Sequence, residues 1–170
     1  MTKELPGDYI AGFVDGEGCF ALKFRRDVRY DRPNKPVYFY WDIEFAIMLK
    51  ADDVGILEAI RDTLDCGRSS INKRGGARYA VNQIDDLLDK IVPFFDKHPL
   101  YAKKRFDFEL WKEAAKLMYR NRGLRTNVST ADSKDVEKKS WDSFDIKRLE
   151  AIRKEMSKYK GGNRTWKWLK

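Results

Sequence analysis

The sequence predicts an α+β fold of helices and strand pairs, and three observations carry that reading. Two segments, Cys19 to Arg26 and Val37 to Lys50, alternate apolar and polar residues, the period-two pattern of half-buried strands. A third, Gly67 to Asn82, folds back as a hairpin about Gly75-Gly76, a pair able to take positive φ in a tight turn. Around them, apolar residues recur at helical spacing in Ala51 to Leu64 and in Ile84 to Phe95. The order is helix, two strands, helix, two strands, helix.

The first helix runs from about Tyr9 toward Phe20. Gly12 and Gly16 are four residues apart, so they lie on one helical face, and Ala11 widens that strip. Tyr9, Ile10, Phe13 and Val14 supply apolar bulk elsewhere. An edge poor in side chains lets a second backbone approach closely. Asp15 and Glu17 fall at the helix C-terminus, whose partial negative charge disfavours carboxylates. Acids placed there beside a close-packing seam point to a cation, and the segment reads as a metal site at an interface.

On the first strand Phe20, Leu22 and Phe24 share one side, and Ala21, Lys23 and Arg25 the other. A polar loop, Asp27 to Pro36, carries Arg29, Arg32 and Lys35. On the long second strand Phe39, Trp41, Ile43, Phe45 and Ile47 oppose Tyr38, Tyr40, Asp42, Glu44 and Ala46. The next helix uses Val54, Ile56, Leu57, Ile60 and Leu64 as its stripe, with Asp52 as N-cap or first-turn acid. Ile84 to Phe95 is expected to bend near Pro93. From about Tyr101 the chain reads as helices: Phe106, Phe108, Leu110, Trp111, Ala114, Leu117 and Met118 form one broad apolar face. A polar break follows at Arg120 to Ser133, and then Trp141, Phe144, Ile146, Leu149, Ile152 and Met156 recur at near-helical spacing. No linker divides the chain, so 1–170 is expected as one domain, with a core of about residues 5–120 and a helical extension over about 121–170.

Composition narrows the function. A net charge of +8 on 170 residues and a pI near 9.4 favour a polyanionic partner, most simply nucleic acid. With 36% charged and 14% aromatic residues, the chain is expected to be globular and soluble. No apolar run approaches the ~18 residues a membrane span needs, and the start lacks the apolar stretch of a signal peptide. Two cysteines, Cys19 and Cys66, make neither a disulfide framework nor a zinc site. A reduced, intracellular protein is expected. His98 is the single histidine, which argues against histidine-based metal or triad chemistry.

The polar side of the strands is where bases could be read. It offers Lys23 and Arg25, then Tyr38, Tyr40, Asp42 and Glu44, then Arg68, Ser70, Asn72, Arg74, Arg78 and Asn82 on matching parity. The mixture has donors and acceptors: Arg suits guanine, Asn suits adenine, and carboxylates accept from cytosine. A solvated antiparallel sheet also presents a polar outer face, so this pattern alone leaves both readings open.

Residues Ile10-Ala11-Gly12-Phe13-Val14-Asp15-Gly16-Glu17-Gly18 match the nine-residue signature of the LAGLIDADG homing endonucleases, with conservative changes and Glu in place of the second Asp. The chain thus resembles that family over its first two-thirds. The resemblance implies one antiparallel, saddle-shaped four-stranded sheet in an α-β-β-α-β-β-α core, helices on its back and its open face in the DNA major groove. It also implies that Glu17 is the metal-binding acid, that the Gly16 carbonyl is a further ligand, and that Asp15 closes the helix end by hydrogen bonding. With one signature per chain, two chains are expected to pair through Ala11, Gly12 and Asp15. Two Glu17 carboxylates then meet on the axis and repel unless cations lie between them. All-oxygen ligation suits Mg²⁺, two or more per dimer, with Mn²⁺ able to substitute. The implied reaction is hydrolysis of one phosphodiester on each strand.

A second stretch, His98-Pro99-Leu100-Tyr101-Ala102-Lys103-Lys104, resembles the family's turn bearing an active-site lysine. Lys104 aligns best and Lys103 is the alternative; His98 is expected to be structural. At the end of the second strand the family often has a polar residue near the metals, where this chain has Leu49. Either Lys50 does that work, or the water network differs, or activity is weakened; Lys50 is also expected to contact phosphate. Lys35 and Arg29 are expected on the DNA backbone. The leading reading is a homodimeric, site-specific DNA endonuclease cutting both strands of a long pseudo-palindromic target. An RNA maturase assisting intron splicing and a non-cleaving DNA-binding protein are the alternatives.

Overall fold

The computed structural model describes residues 4–35, 37–123 and 141–158. The first helix, α1 (Gly7–Glu17), leads straight into β1 (Gly18–Val28), and β2 (Val37–Lys50) returns beside it. A single 3-10 turn (Ala51–Asp53) opens into α2 (Val54–Leu64). The hairpin β3 (Arg68–Ile71) and β4 (Gly76–Val81) follows. Ile84–Asp86, Leu87–Ile91 and Val92–Lys97 run on as one helical stretch, α3. Then come α4 (Lys104–Arg120) and α5 (Ser143–Ser157). The predicted order of elements is the observed one.

The four strands form one antiparallel sheet in the order β1-β2-β4-β3. Phe20 faces Phe45, Leu22 faces Ile43 and Phe24 faces Trp41 across β1 and β2, while Ile47 faces Tyr79 across β2 and β4. Side chains alternate across a strand, so this register gathers the buried apolar residues of the sheet on one side and leaves Met48 exposed on the other. The helices cover that side. Phe20 is the hub: its ring centroid lies 5.3 Å from Phe45, 5.3 Å from Phe108 and 5.2 Å from Trp111. One core cluster runs from Ile10 to Met156 and includes Leu149 and Ile152 of α5.

Local chemistry explains the departures from the expected boundaries. Of Gly75-Gly76, Gly75 alone takes positive φ, at 78°; Gly76 already belongs to β4, and the Asn72 side chain closes the turn. The irregularity in α3 lies ahead of Pro93, as a wide π turn over Leu87–Ile91. Proline has no N–H to donate, so the preceding turn must rearrange its hydrogen bonds. Asp52 is a first-turn acid, in the 3-10 turn, and the cap position of α2 falls to Asp53, which makes no side-chain cap bond. α5 is tied to the end of α4 by the buried Asp145, which accepts from Asn121 at 2.7 Å and from Arg120. The Asn121 amide favours the Asp145 carboxylate, burial opposes it, and Arg120 adds to the first effect; its pKa falls below the usual range. Most of the predicted polar break after Arg120 lies outside the described residues. Among the described residues no helix is long and apolar enough to cross a membrane.

Candidate active site and nucleic-acid interface

The signature segment folds as a helix because Ile10 and Val14 are fully buried on one stripe, as amphipathic spacing requires. Ala11, expected on the open strip, instead joins that buried stripe at 4% exposure. It follows Ile10 around the helix and faces the protomer's own core. The open edge is therefore narrower: a Cβ placed on Gly12 or Gly16 would meet nothing within 4 Å. Tyr9 and Phe13 flank it, their rings 6.2 Å apart.

The end of α1 meets the start of α4. The Asp15 carboxylate accepts from the backbone N–H groups of Tyr101 at 2.7 Å and Ala102 at 3.1 Å. Lys104 donates through Nζ to the carbonyl oxygens of Val14 at 2.8 Å and Gly16 at 3.2 Å. The Val14 carbonyl also accepts from the Gly18 N–H that ends the helix, and a cation at this helix end is favoured by the dipole. Burial lowers the Lys104 pKa, while Cys19, Asp15, Glu17 and Asp107 pull the other way. Lys103 is exposed. Lys104 is thus the lysine that the fold brings to the signature.

Glu17 is exposed at the last position of α1. It lines a cleft with Tyr9, Phe13, Leu49, Asp53 and Ile56. A second hollow, lined by Asp15, Gly16, Ala102, Lys103, Lys104, Phe106 and Asp107, borders the same helix end. Leu49 does stand beside Glu17, while Lys50 points to the open sheet face, opposite Gly76. Asp53 is a further acid in this cleft, without a counterpart among the residues expected from sequence. Its place depends on the single 3-10 turn that follows β2, and no spacing in the sequence signals it.

His98 lies at the far end of α1, about 14 Å from Glu17 by helix rise. Its ring packs where a Cβ on Gly7 would be 2.3 Å away, and Nδ1 is 2.7 Å from Asp8. It tethers α3 to the start of α1.

The open sheet face carries Lys23, Arg25, Tyr38, Tyr40, Asp42, Glu44, Lys50, Arg68, Ser70 and Arg78, as their register requires. Asn82 lies just past β4 in line with Glu44. Two features were not legible in sequence. First, the acids are already paired: Arg25 Nε lies 2.7 Å from Asp42, and Glu44 receives Lys23 at 3.3 Å and Arg78 at 2.5 Å. Second, the Asn72 carboxamide oxygen accepts from the backbone N–H groups of Arg74 at 2.9 Å and Gly76 at 3.1 Å. Asn72 therefore spends its acceptor on the hairpin turn, with Arg74 exposed at the tip. Arg29 and Lys35 lie in the loop between β1 and β2, and both are exposed.

The family model described as LAGLIDADG endonuclease matches residues 10–115. The chain belongs to the LAGLIDADG endonuclease family. A probable intron-encoded DNA endonuclease of Mycosarcoma maydis is 31% identical over 104 residues, 61% of this chain and 35% of that protein. The LAGLIDADG chain spans between 24% and 35% of the length of the first three curated relatives it matches. The crystal structure of the homing endonuclease I-TnaI superposes with a TM-score of 0.69 at 26% identity, covering 91% of this chain and 89% of that one. I-SmaMI, solved with its uncleaved DNA target and calcium, shares the fold at a TM-score of 0.69 and 22% identity, over 89% of this chain and 45% of that one. This LAGLIDADG chain thus compares in extent with most of I-TnaI and with a little under half of I-SmaMI.

Proposed function

We propose that the protein is a site-specific DNA endonuclease that acts as a homodimer and cuts both strands of a long pseudo-palindromic site. The observation that carries this reading is the junction of α1 and α4. One exposed carboxylate, Glu17, stands beside the end of an open glycine edge and the half-buried amine of Lys104. Beside them lies a sheet face of mixed donors and acceptors, suited to base edges. A relative named as a DNA endonuclease and a fold neighbour solved on a DNA target favour cleavage of DNA over RNA maturation. An exposed acid at the helix end also has no evident use in a protein that only binds.

The donors at the junction fit a hard cation. Glu17 and Asp53 offer carboxylates and Gly16 a carbonyl, all oxygen. Among the described residues no group of three or more His, Cys, Asp or Glu could hold a metal within one chain. A second copy supplies the rest when Gly12 and Gly16 of two protomers pack together, which brings Glu17 to its mate. Mg²⁺ is the cation proposed, with Mn²⁺ able to replace it. Bound there, a divalent cation activates water and stabilises the departing oxygen. Glu17 holds that position, and Asp53 supplies the polar group that Leu49 lacks. Lys104 places positive charge near the scissile phosphate. Arg29, Lys35 and Lys50 hold the DNA backbone.

The test is cleavage of a plasmid library of candidate targets with Mg²⁺, read by sequencing the cut ends. A discrete set of related palindromic sites, cut on both strands, is expected. Uncut libraries in both Mg²⁺ and Mn²⁺ would overturn the reading.

A further inference from the structure

The carboxylate of Glu44 is unusual for a surface of this kind. It sits on β2, in the interior of the open face, and is only 7% exposed. Its two oxygens are taken by cations from the strands on either side. Oε1 lies 3.3 Å from Lys23 Nζ on β1, and Oε2 lies 2.5 Å from an Arg78 nitrogen on β4. The cations remain far more open, with side chains 44% and 36% exposed. Small neighbours make the room. Ala21 is opposite Glu44 on β1, and Ala46 is opposite Ala80 on β4. Long side chains at these positions would keep Lys23 and Arg78 from reaching across to one acid.

Resting on the DNA-cleaving reading above, we propose that Glu44 is a positioning residue. It holds Lys23 and Arg78 side by side as one fixed cationic unit for base recognition, and it does not itself contact a base. Charge-assisted hydrogen bonds are among the strongest a side chain makes. A cytosine amine would have to displace one of them to reach Glu44. Arg78 and Lys23 keep other donors free, because a guanidinium has five and an ammonium three. Burial works against the charged form of Glu44, but the Arg78 hydrogen bond and the Lys23 charge outweigh it and keep its pKa below the usual range. The acid therefore stays charged through the neutral range. The outer pair, Arg25 with Asp42, is more open at 46% and 24% side-chain exposure, and it imposes less order.

The experiment profiles base preference by equilibrium binding to a library of half-site variants. The proteins are wild type, Arg78→Ala, Glu44→Ala, Glu44→Gln and the Glu44→Ala/Arg78→Ala double variant. Glu44→Gln keeps the shape and guards against a misfolded alanine variant. We expect Glu44→Ala and Glu44→Gln to relax selection at the base pairs that Arg78→Ala relaxes, by about tenfold. The double variant should be no less selective than Arg78→Ala alone, the non-additivity of residues that act as a unit. Altered selection at a base pair untouched by Arg78→Ala would mean that Glu44 reads that base itself, and would overturn the proposal. So would unchanged preferences with a lowered melting temperature, the mark of a purely structural pair. A wild-type protein that binds all variants alike overturns the DNA-reading proposal beneath it, and this one with it.

Discussion

Lys104 donates from Nζ to the carbonyl oxygen of Val14 at 2.8 Å. The first residue of α4 thereby closes the last turn of α1, although 90 positions separate the two in the chain. The bond fixes the amine next to Glu17, where an ordinary surface lysine would sweep a wide volume. The same carbonyl accepts from the backbone N–H of Gly18, so the amine adds a second donor to a helix end that its own backbone already closes.

Replacing that amine should harm chemistry more than binding. Lys104→Met is expected to lower the single-turnover cleavage rate by about a hundredfold, the scale of a lost charge-stabilising donor. The dissociation constant should stay within about tenfold, because one lost phosphate contact is a small part of the whole. Burial holds the Lys104 pKa below its usual value. The charged amine is therefore lost at a lower pH than for an ordinary lysine near 10.4. The alkaline decline in wild-type rate should begin correspondingly early and be absent from Lys104→Met. If Lys103→Met carries the rate defect instead, the assignment is one residue off.

Glu17→Gln should abolish nicking of both strands while DNA affinity survives, since affinity comes mainly from phosphate contacts. Supercoiled-plasmid cleavage and a gel-shift titration measure the two separately. Asp53→Asn should slow cleavage without abolishing it. A Glu17→Gln protein that cuts at the wild-type rate removes the metal-site assignment.

Gly12 and Ala11 are adjacent but should fail differently. Gly12 has open space around it, so Gly12→Leu should leave the protomer folded and break the dimer, seen as a halved mass in light scattering. Ala11 is buried in its own chain. Ala11→Leu overfills a packed core and should cost about 1–3 kcal/mol in folding stability, seen in denaturant melts. A wild-type monomer that cuts both strands unaided would contradict the paired arrangement.

Asp145 joins the end of α4 to α5, and Asp145→Asn should lower stability by about 2 kcal/mol, the scale of hydrogen bonds to a charged group. The carboxyl is held below the ordinary value near 3.9 in the folded state. Its contribution is therefore complete above that value and is lost as pH falls through the lower, folded one. The gap in melting temperature between wild type and variant should be constant from pH 7 to about 5 and should narrow below about 4.

Specificity should divide by position. Lys35, exposed in the loop between β1 and β2, is placed to meet phosphate. Lys35→Ala should weaken binding uniformly across target sequences and reduce the salt dependence by about one counterion. A base-selective loss would move Lys35 from the backbone to the bases.

What the sequence determined by itself is what depends on near neighbours along the chain. The period of two in Val37–Lys50 set the bounds of β2 and the parity of Tyr40, Asp42 and Glu44, because a strand cannot turn one side chain without turning all of them. The spacing of Ile10, Val14, Gly12 and Gly16 likewise set the buried and open sides of α1, and the signature carried the family. Tertiary structure decided the rest. Ala11 went to the core with its neighbours Ile10 and Val14, because the packed side of α1 is broad enough to take it in. Asp53 came to line the same cleft as Glu17 through the turn at Ala51–Asp53, and Asn72 was drawn to its own hairpin. Glu44 acquired Lys23 and Arg78 from two other strands. Each of these outcomes turns on which groups meet across space, and for a charged or polar side chain the partner, more than the residue type, settles whether it is free to bind.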